Sequence, residues 1–421
     1  MNEPPVVEFD HHVEPFHTNR HAEWAALRRC PVAFNPAFGG FWVVSGYDAV
    51  AEVARDSDTY SSRHARHADD GIDYLGIAGV PRPRGTPTLG IAEVEGPVHA
   101  ALRRVLNRYL APAAVARLEP LILGTTTWFL DQRIETGSIE FVDDLTSAVP
   151  SILTMSVLGL DPDGWRRYAD LFHGATAYAP GSPEQERAIA QVPAMRAELQ
   201  AEAIARRRYP RDDLLTAVVE LHLDDGRALT DEEIGGVVWN LVGGGVDTTS
   251  ALTSLALLHL DEYHDRRDRL LEDPGLIASA TEEYLRFFSV NETLSRTVTR
   301  DVELGGQQLS RGDHLLVSLL SANRDEARFE HPDTVILDRT PNPHLGLGVG
   351  PHRCVGMHLA RTMIQILLRE VLSRMPDYEV DRAATSLYER NPTLNGVVRM
   401  PAAFTPGRAV GPTERPFGGG A

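Results

Sequence analysis

The chemistry in this sequence gathers around one cysteine. Cys354 lies in the run His344-Leu345-Gly346-Leu347-Gly348-Val349-Gly350-Pro351-His352-Arg353-Cys354-Val355-Gly356, with two basic residues beside it. Gly348, Gly350 and Gly356 permit backbone angles that other residues avoid, and they remove side chains that would keep a flat ligand away. The run opens into an apolar-periodic stretch, 357–372, expected to be helical. The N–H groups and dipole at a helix start favour a thiolate, as do neighbouring cations. The loop therefore reads as one thiolate presented to something large, planar and metal-bearing. Cys30, between Arg29 and Pro31, has no such setting and reads as a small buried apolar residue.

A second constellation is Gly243-Gly244-Gly245-Val246-Asp247-Thr248-Thr249-Ser250. It interrupts a long apolar pattern, 234–260, that opens with the capping box Thr230-Asp231-Glu232-Glu233. A helix apolar nearly all round is expected to run through the core. Mid-helix glycine costs on the order of 1 kcal/mol relative to alanine, a cost tolerated where something must approach the backbone. Glycines alone also fit a close helix–helix crossing, but that does not explain an acid beside a hydroxyl. Thr248 can hydrogen-bond the carbonyl of Gly244 one turn back, which is expected to open or bulge the helix. An acid and a hydroxyl in such a place suit proton delivery into an apolar pocket.

Two further pairs are weak signals alone. His99 and Arg103 are four apart on the helix expected after Glu95-Gly96-Pro97, so they share a face suited to carboxylates. Glu283 and Arg286 are three apart on another helix.

The cysteine run resembles the haem-ligating signature of the cytochrome P450 family, Phe-Gly-x-Gly-x-His-x-Cys-x-Gly, with Leu347 in place of Phe. The Gly-Val-Asp-Thr string resembles the family's central-helix element, and the order Glu283, Arg286, Arg339 resembles its structural ion network. The resemblance runs from about Trp42 to Pro406. It implies a mainly α fold with small β-sheets, one domain over 1–421, and haem b held between the long central helix and the cysteine loop. It implies that Cys354 ligates iron and that Gly244 leaves a groove for dioxygen, where Asp247 and Thr248 manage protons. His99, Arg103, Arg296 and His352 would hold the haem propionates. Substrate contacts carried over from the family fall on Leu89, Ile91, Asn240, Gly243, Gly244, Val290, Thr393 and Leu394, and on a broken helical roof around 172–178. They are mostly apolar or small, so a hydrophobic substrate is expected: a terpenoid, steroid, fatty acid or polyketide. The implied activity is a monooxygenase fed by a ferredoxin and an NAD(P)H-dependent flavoprotein reductase. Arg104, Arg108, Arg353 and Arg361 are expected to form the ferredoxin patch. A peroxide-driven variant and a haem carrier without catalysis are the rival readings, and the Asp247-Thr248 pair argues against both.

Composition sets the outer bounds. The chain has 421 residues, 43% of them hydrophobic, enough for a large core. Net charge −18 argues against nucleic acid as a partner. Two cysteines make no disulfide framework, so a reducing, cytoplasmic setting is expected. No signal peptide, membrane anchor or spanning run is expected, and the protein is expected to be a monomer. The segment 63–90, with Pro81, Pro83 and Pro87, reads as a long irregular loop of the kind that forms lids. The ends, 1–20 and 407–421, are expected to be mobile tails.

Overall fold

The computed structural model describes residues 4–10, 16–65, 68–75, 88–389 and 393–418. The part of the expected lid at 76–87, and residues 1–3, 11–15 and 419–421 of the expected tails, lie outside them. The architecture is mainly helical, with small sheets at one side.

The organising element is the core helix, Asp231–Glu262, of 32 residues. Its start is fixed by the expected capping box. The Thr230 hydroxyl accepts from the Glu233 N–H, and the Glu233 carboxylate accepts from the Thr230 N–H. By length and composition it could cross a membrane, unlike the sequence expectation. However, 67% of its most apolar window is buried inside the fold. Helices pack around it: Ala148–Leu158, the roof helix Trp165–Ala177, and Pro183–Ala205. The roof is broken between 177 and 183, as the sequence suggests.

The main sheet has five strands: β1 (Val32–Asn35), β2 (Phe41–Val44), β3 (Tyr60–Ser61), β4 (Thr293–Val298) and β5 (His314–Ser318). Their spatial order is β1-β2-β5-β4-β3. β2 runs parallel to β5, and the other neighbours are antiparallel. β4 carries Arg296 inward at the edge of the site.

Two expectations about loose segments do not hold for the described residues. The N-terminal stretch is tied to β1, with the Val7 N–H donating to Phe34 and the Phe34 N–H to Pro5. Phe16 is buried against Trp24, and Arg20 forms an ion pair with buried Glu292. At the other end, Phe417 is buried and stacks on Phe129 at 5.9 Å. Aromatic burial offsets the entropy of ordering both ends. The expected irregular loop is also partly ordered. His64–Ala65 pairs with Tyr74–Leu75, and the Arg63 guanidinium lies 4.1 Å from the Tyr74 ring centroid. Cys30 is exposed rather than buried.

Candidate active site

The cysteine loop and the middle of the core helix form two walls of one cavity of about 430 Å³. The loop is pinned by the Cys354 N–H, which donates to the Leu347 carbonyl at 2.8 Å. Leu347 thus makes its key bond through the backbone, whatever its side chain. Gly350 has φ +78°, and a Cβ there would lie 2.4 Å from the Ala54 carbonyl, so this glycine serves loop packing. Gly356 has open space, and the helix Met357–Arg374 starts just after it. Cys354 is accessible only to the cavity it lines. Burial pushes its thiol up. The Gly356 N–H and the guanidiniums of Arg103, Arg361 and Arg353 pull the other way and do not overcome burial. The expected helix-end stabilisation is present but is the weaker influence in the protein alone.

On the opposite wall the three glycines separate by role. A Cβ at Gly243 would lie 2.7 Å from the Phe172 ring, and one at Gly245 2.4 Å from Thr154 Oγ1. Both serve close helix packing. A Cβ at Gly244 would meet nothing within 4 Å. Gly244 is exposed midway along a core helix, and what it faces is the cavity. Thr248 donates to the Gly244 carbonyl at 2.9 Å, as its spacing suggests, and lines the cavity. The expected bulge is absent, because the helix runs unbroken through this point.

Asp247 is placed differently from the expectation. Its carboxylate is outside the cavity lining and turned toward the roof. It accepts from Tyr388 Oη and Thr176 Oγ1, each at 2.8 Å, and lies 3.3 Å from His173 Nδ1. Burial opposes ionisation. The bonds from His173, Tyr388 and Thr176 outweigh it and hold the acid below the usual carboxylate range.

The cavity's third feature is a set of nitrogen-bearing side chains. His99, Arg103 and His352 line it. The His99 and His352 rings are 4.4 Å apart, and burial lowers their pKa values to about 4 and about 3, with Arg103 and other neighbouring cations adding to the effect. Arg103 donates to the Arg353 carbonyl at 2.7 Å. Arg296 stands behind His352, off the cavity wall. It is 4% exposed, and its side chain donates to the Ser295 carbonyl. No acid among the described residues pairs with it. Glu95, which acts on it at longer range, is engaged by Ser61 and Ser62. His99 Nε2 is buried without a partner. A buried guanidinium and an orphaned imidazole nitrogen are costly unless an anion completes them. A planar group with a metal facing Cys354 and carboxylates facing these cations would do so. The residues therefore fit haem.

Comparison with known proteins agrees. The cytochrome P450 family model matches residues 275–391. A putative cytochrome P450 141 of Mycobacterium tuberculosis is 30% identical over 93% of this chain and 96% of its own length. The chain is a cytochrome P450. Nocardicin C N-oxygenase of Nocardia uniformis is 30% identical, covering 86% of this chain and 90% of its own. The fold matches a mutant of P450 EryK solved with erythromycin B, with TM-score 0.81 and 28% identity over 94% and 98% of the two chains. This P450 is accordingly a haem b monooxygenase.

Of the expected substrate contacts, Ile91, Asn240, Gly243, Gly244, Val290 and Leu394 line the cavity. Leu89 and Thr393 do not. The Leu89 N–H is turned to buried Glu93, and the Thr393 carbonyl accepts from the Glu292 N–H. The roof residues also miss the lining, because Phe172 packs on Trp239 at 4.8 Å and against Gly243. Asn291, next to Val290 in the segment expected to contact substrate, also lines the cavity, and its backbone is bridged to Leu394.

Glu283, Arg286 and Arg339 do come together. Arg286 donates to both Glu283 oxygens at 2.8 and 2.7 Å, and Arg339 Nε lies 3.1 and 3.0 Å from them. Asn342 and the Ile336 N–H complete the acid's bonds, which sequence spacing could not show. The four-arginine patch is thinner than expected. Arg361 is bidentate on Glu282, which His344 also contacts, and Arg104 pairs with Asp224. Arg108 and Arg353 carry no ion pair among the described residues.

Proposed function

We propose that this P450 oxidises a neutral, largely apolar molecule bearing oxygen functions, with electrons from a ferredoxin served by an NAD(P)H-dependent flavoprotein reductase, in the cytoplasm. The observation that carries the site assignment is the cavity with Cys354 on one wall, Gly244 on the other and unpaired cations at its edge. Haem bound there supplies the iron at which one oxygen atom is inserted into the substrate and the other is reduced to water. Cys354 would supply the thiolate that holds its iron. Arg296, Arg103, His99 and His352 would neutralise its carboxylates. Thr248 places a hydroxyl at the Gly244 gap, and Asp247 stands one residue away as the acid that keeps it supplied with protons.

The substrate reading rests on the cavity's polar groups. The side-chain amides of Asn240 and Asn291 line it without a partner among the described residues. Asn240 lies four residues before Gly244, so both share one helical face. A carboxamide donates and accepts without charge, so it suits a ketone, hydroxyl, lactone or amide.

Two measurements test the proposal. The reduced, carbon-monoxide-bound protein should show the red-shifted Soret band of a thiolate ligand, and Cys354→Ala should lose it. A normal band in that variant defeats the ligand assignment. Asn240→Ala should weaken spin-state titration by an oxygenated neutral ligand about five- to tenfold, the worth of one hydrogen bond. Equal affinity for every ligand in the two proteins defeats the Asn240 role. For the redox partner, reduction by ferredoxin should slow steeply with added salt, and at low salt Arg108→Ala should slow it more, and flatten its salt dependence more, than Arg104→Ala, whose cation is already paired.

A further inference from the structure

The acid beside the cavity is held by three side chains from outside the core helix, none of which belongs to the motif containing it. His173 and Thr176 come from the roof helix, and Tyr388 comes from the strand Ser386–Leu387 region near the C-terminus. Tyr388 is itself fixed: its ring fills the space beside Gly396, where a Cβ would lie 2.6 Å away. Its hydroxyl also lies 3.3 Å from His173 Nδ1. The Glu389 N–H donates to the Ala177 carbonyl at 2.8 Å, so this segment and the roof helix are joined next to the cluster. These three side-chain contacts of the acid thus come from the roof side, away from the cavity.

A buried carboxylate that delivers protons must be reloaded, and Asp247 is only 5% exposed. His173 is the one titratable base in contact with it. Its side chain is 17% exposed, Nε2 is buried, and the Val398 backbone beside the ring favours its charged form without closing a well-formed hydrogen bond to Nε2. An outward shift of the roof helix would bring that nitrogen to water. We propose that His173 supplies the protons that pass through Asp247, with Thr176 and Tyr388 as positioning residues that hold the carboxylate toward the roof. In the transfer, the Nδ1–H bond of the imidazolium breaks and an O–H bond forms at Asp247 Oδ1. That leaves neutral imidazole and a carboxylic acid. A hydronium ion arriving from solvent then reprotonates the imidazole and leaves as water, and no electron moves. Loss of the His173 contact frees the acid to turn toward the cavity, where the Thr248 hydroxyl is the next group.

The charges around His173 support this role. Burial disfavours its cation, but Asp247 outweighs burial, and Asp143 in the turn 142–146 adds to it, so the pKa is raised above 6.5. Asp170 on the same helix faces the imidazole at longer range. Tyr388 is neutral, its pKa pushed far up by burial and by Asp247.

The inference rests on the oxygenase reading, and its test separates the two. In the diamagnetic reduced carbon-monoxide form, the His173 imidazole should titrate by NMR with a midpoint above 6.5. In Asp247→Asn that midpoint should fall, because the opposite charge is lost. With ferredoxin and NAD(P)H, product formed per reductant consumed should decline as pH rises through the His173 midpoint. His173→Gln keeps an amide donor but cannot titrate. It should lower that ratio on the order of tenfold, abolish the alkaline decline and raise the solvent deuterium isotope effect, with ligand affinity by spin shift unchanged. A His173→Gln enzyme with wild-type yield and an intact alkaline decline overturns the inference. So does a His173 midpoint that Asp247→Asn leaves in place, a result available even if His173→Gln fails to hold haem. Absence of the red-shifted Soret band in the wild type would instead defeat the oxygenase reading.

Discussion

Two buried cationic clusters in this P450 obey opposite rules. Around Glu283, two guanidiniums share one carboxylate, and the remaining N–H groups of Arg286 reach the carbonyls of Asn323, Pro332 and Thr334. Around the cavity, buried Arg296 and His99 and partly buried His352 meet no carboxylate among the described residues. The first cluster is complete within the chain and therefore belongs to folding. The second is incomplete within the chain, which is what supports its proposed role in holding a ligand's carboxylates. Burial alone does not tell a structural charge from a functional one. The count of satisfied partners does.

That contrast can be broken from either side. The largest effect is expected for Glu283→Ala, which strands two guanidiniums in the interior. It should cost about 3–5 kcal/mol of stability in denaturant unfolding, with or without haem. Arg296→Leu should behave in the opposite way. The haem-free protein should unfold at the same or a higher denaturant concentration, since an unpaired buried cation is gone. Haem should transfer to an acceptor apoprotein roughly tenfold faster, the worth of about 1.4 kcal/mol of charge-assisted bonding. If both variants simply lose stability together, the distinction between the clusters is wrong.

A pH experiment sharpens it. His99 in the folded, haem-free protein has a pKa lowered to about 4 by burial first and Arg103 second. Unfolded, it binds a proton near 6.5. As pH falls below 6.5 the unfolded chain takes up a proton that the folded protein refuses. Haem-free stability from this group should therefore decline between 6.5 and about 4 and level off below. Carboxylates of bound haem would favour His99 in its charged form, so the decline should be shallower in the loaded protein. Thermal unfolding across this range checks both curves. The smallest effect is expected for Leu347→Phe. Residue 347 accepts the Cys354 N–H through its carbonyl, so midpoint potential and thiolate retention should change little. A shift above about 30 mV, roughly 0.7 kcal/mol for a one-electron couple, would show that the side chain matters.

Much of the site was legible because its signals are local. The capping box, the Thr248-to-Gly244 bond, the shared face of His99 and Arg103, and the Glu283–Arg286 pair all follow from helical spacing of three or four residues. The three central glycines show the limit. Sequence singles out the run, but only the neighbours Phe172 and Thr154 show that Gly243 and Gly245 serve packing while Gly244 alone opens on the cavity. The expected bulge failed for a related reason: packing on several sides keeps the core helix regular where its local residues favour opening. The tails failed because burial of Phe16 and Phe417 depends on partners far along the chain.

The sequence by itself determined the fold family, the cysteine loop that faces the cavity and the order of the motifs, because each rests on residue types at short, fixed spacing. Only the tertiary structure decided where the acid turns. Asp247 is separated from Tyr388 by 141 residues and from His173 by 74. No local periodicity links them. Their meeting depends on how the roof and the C-terminal segment close over the core helix, and the direction of a buried carboxylate is set by whichever donors that closure brings within reach.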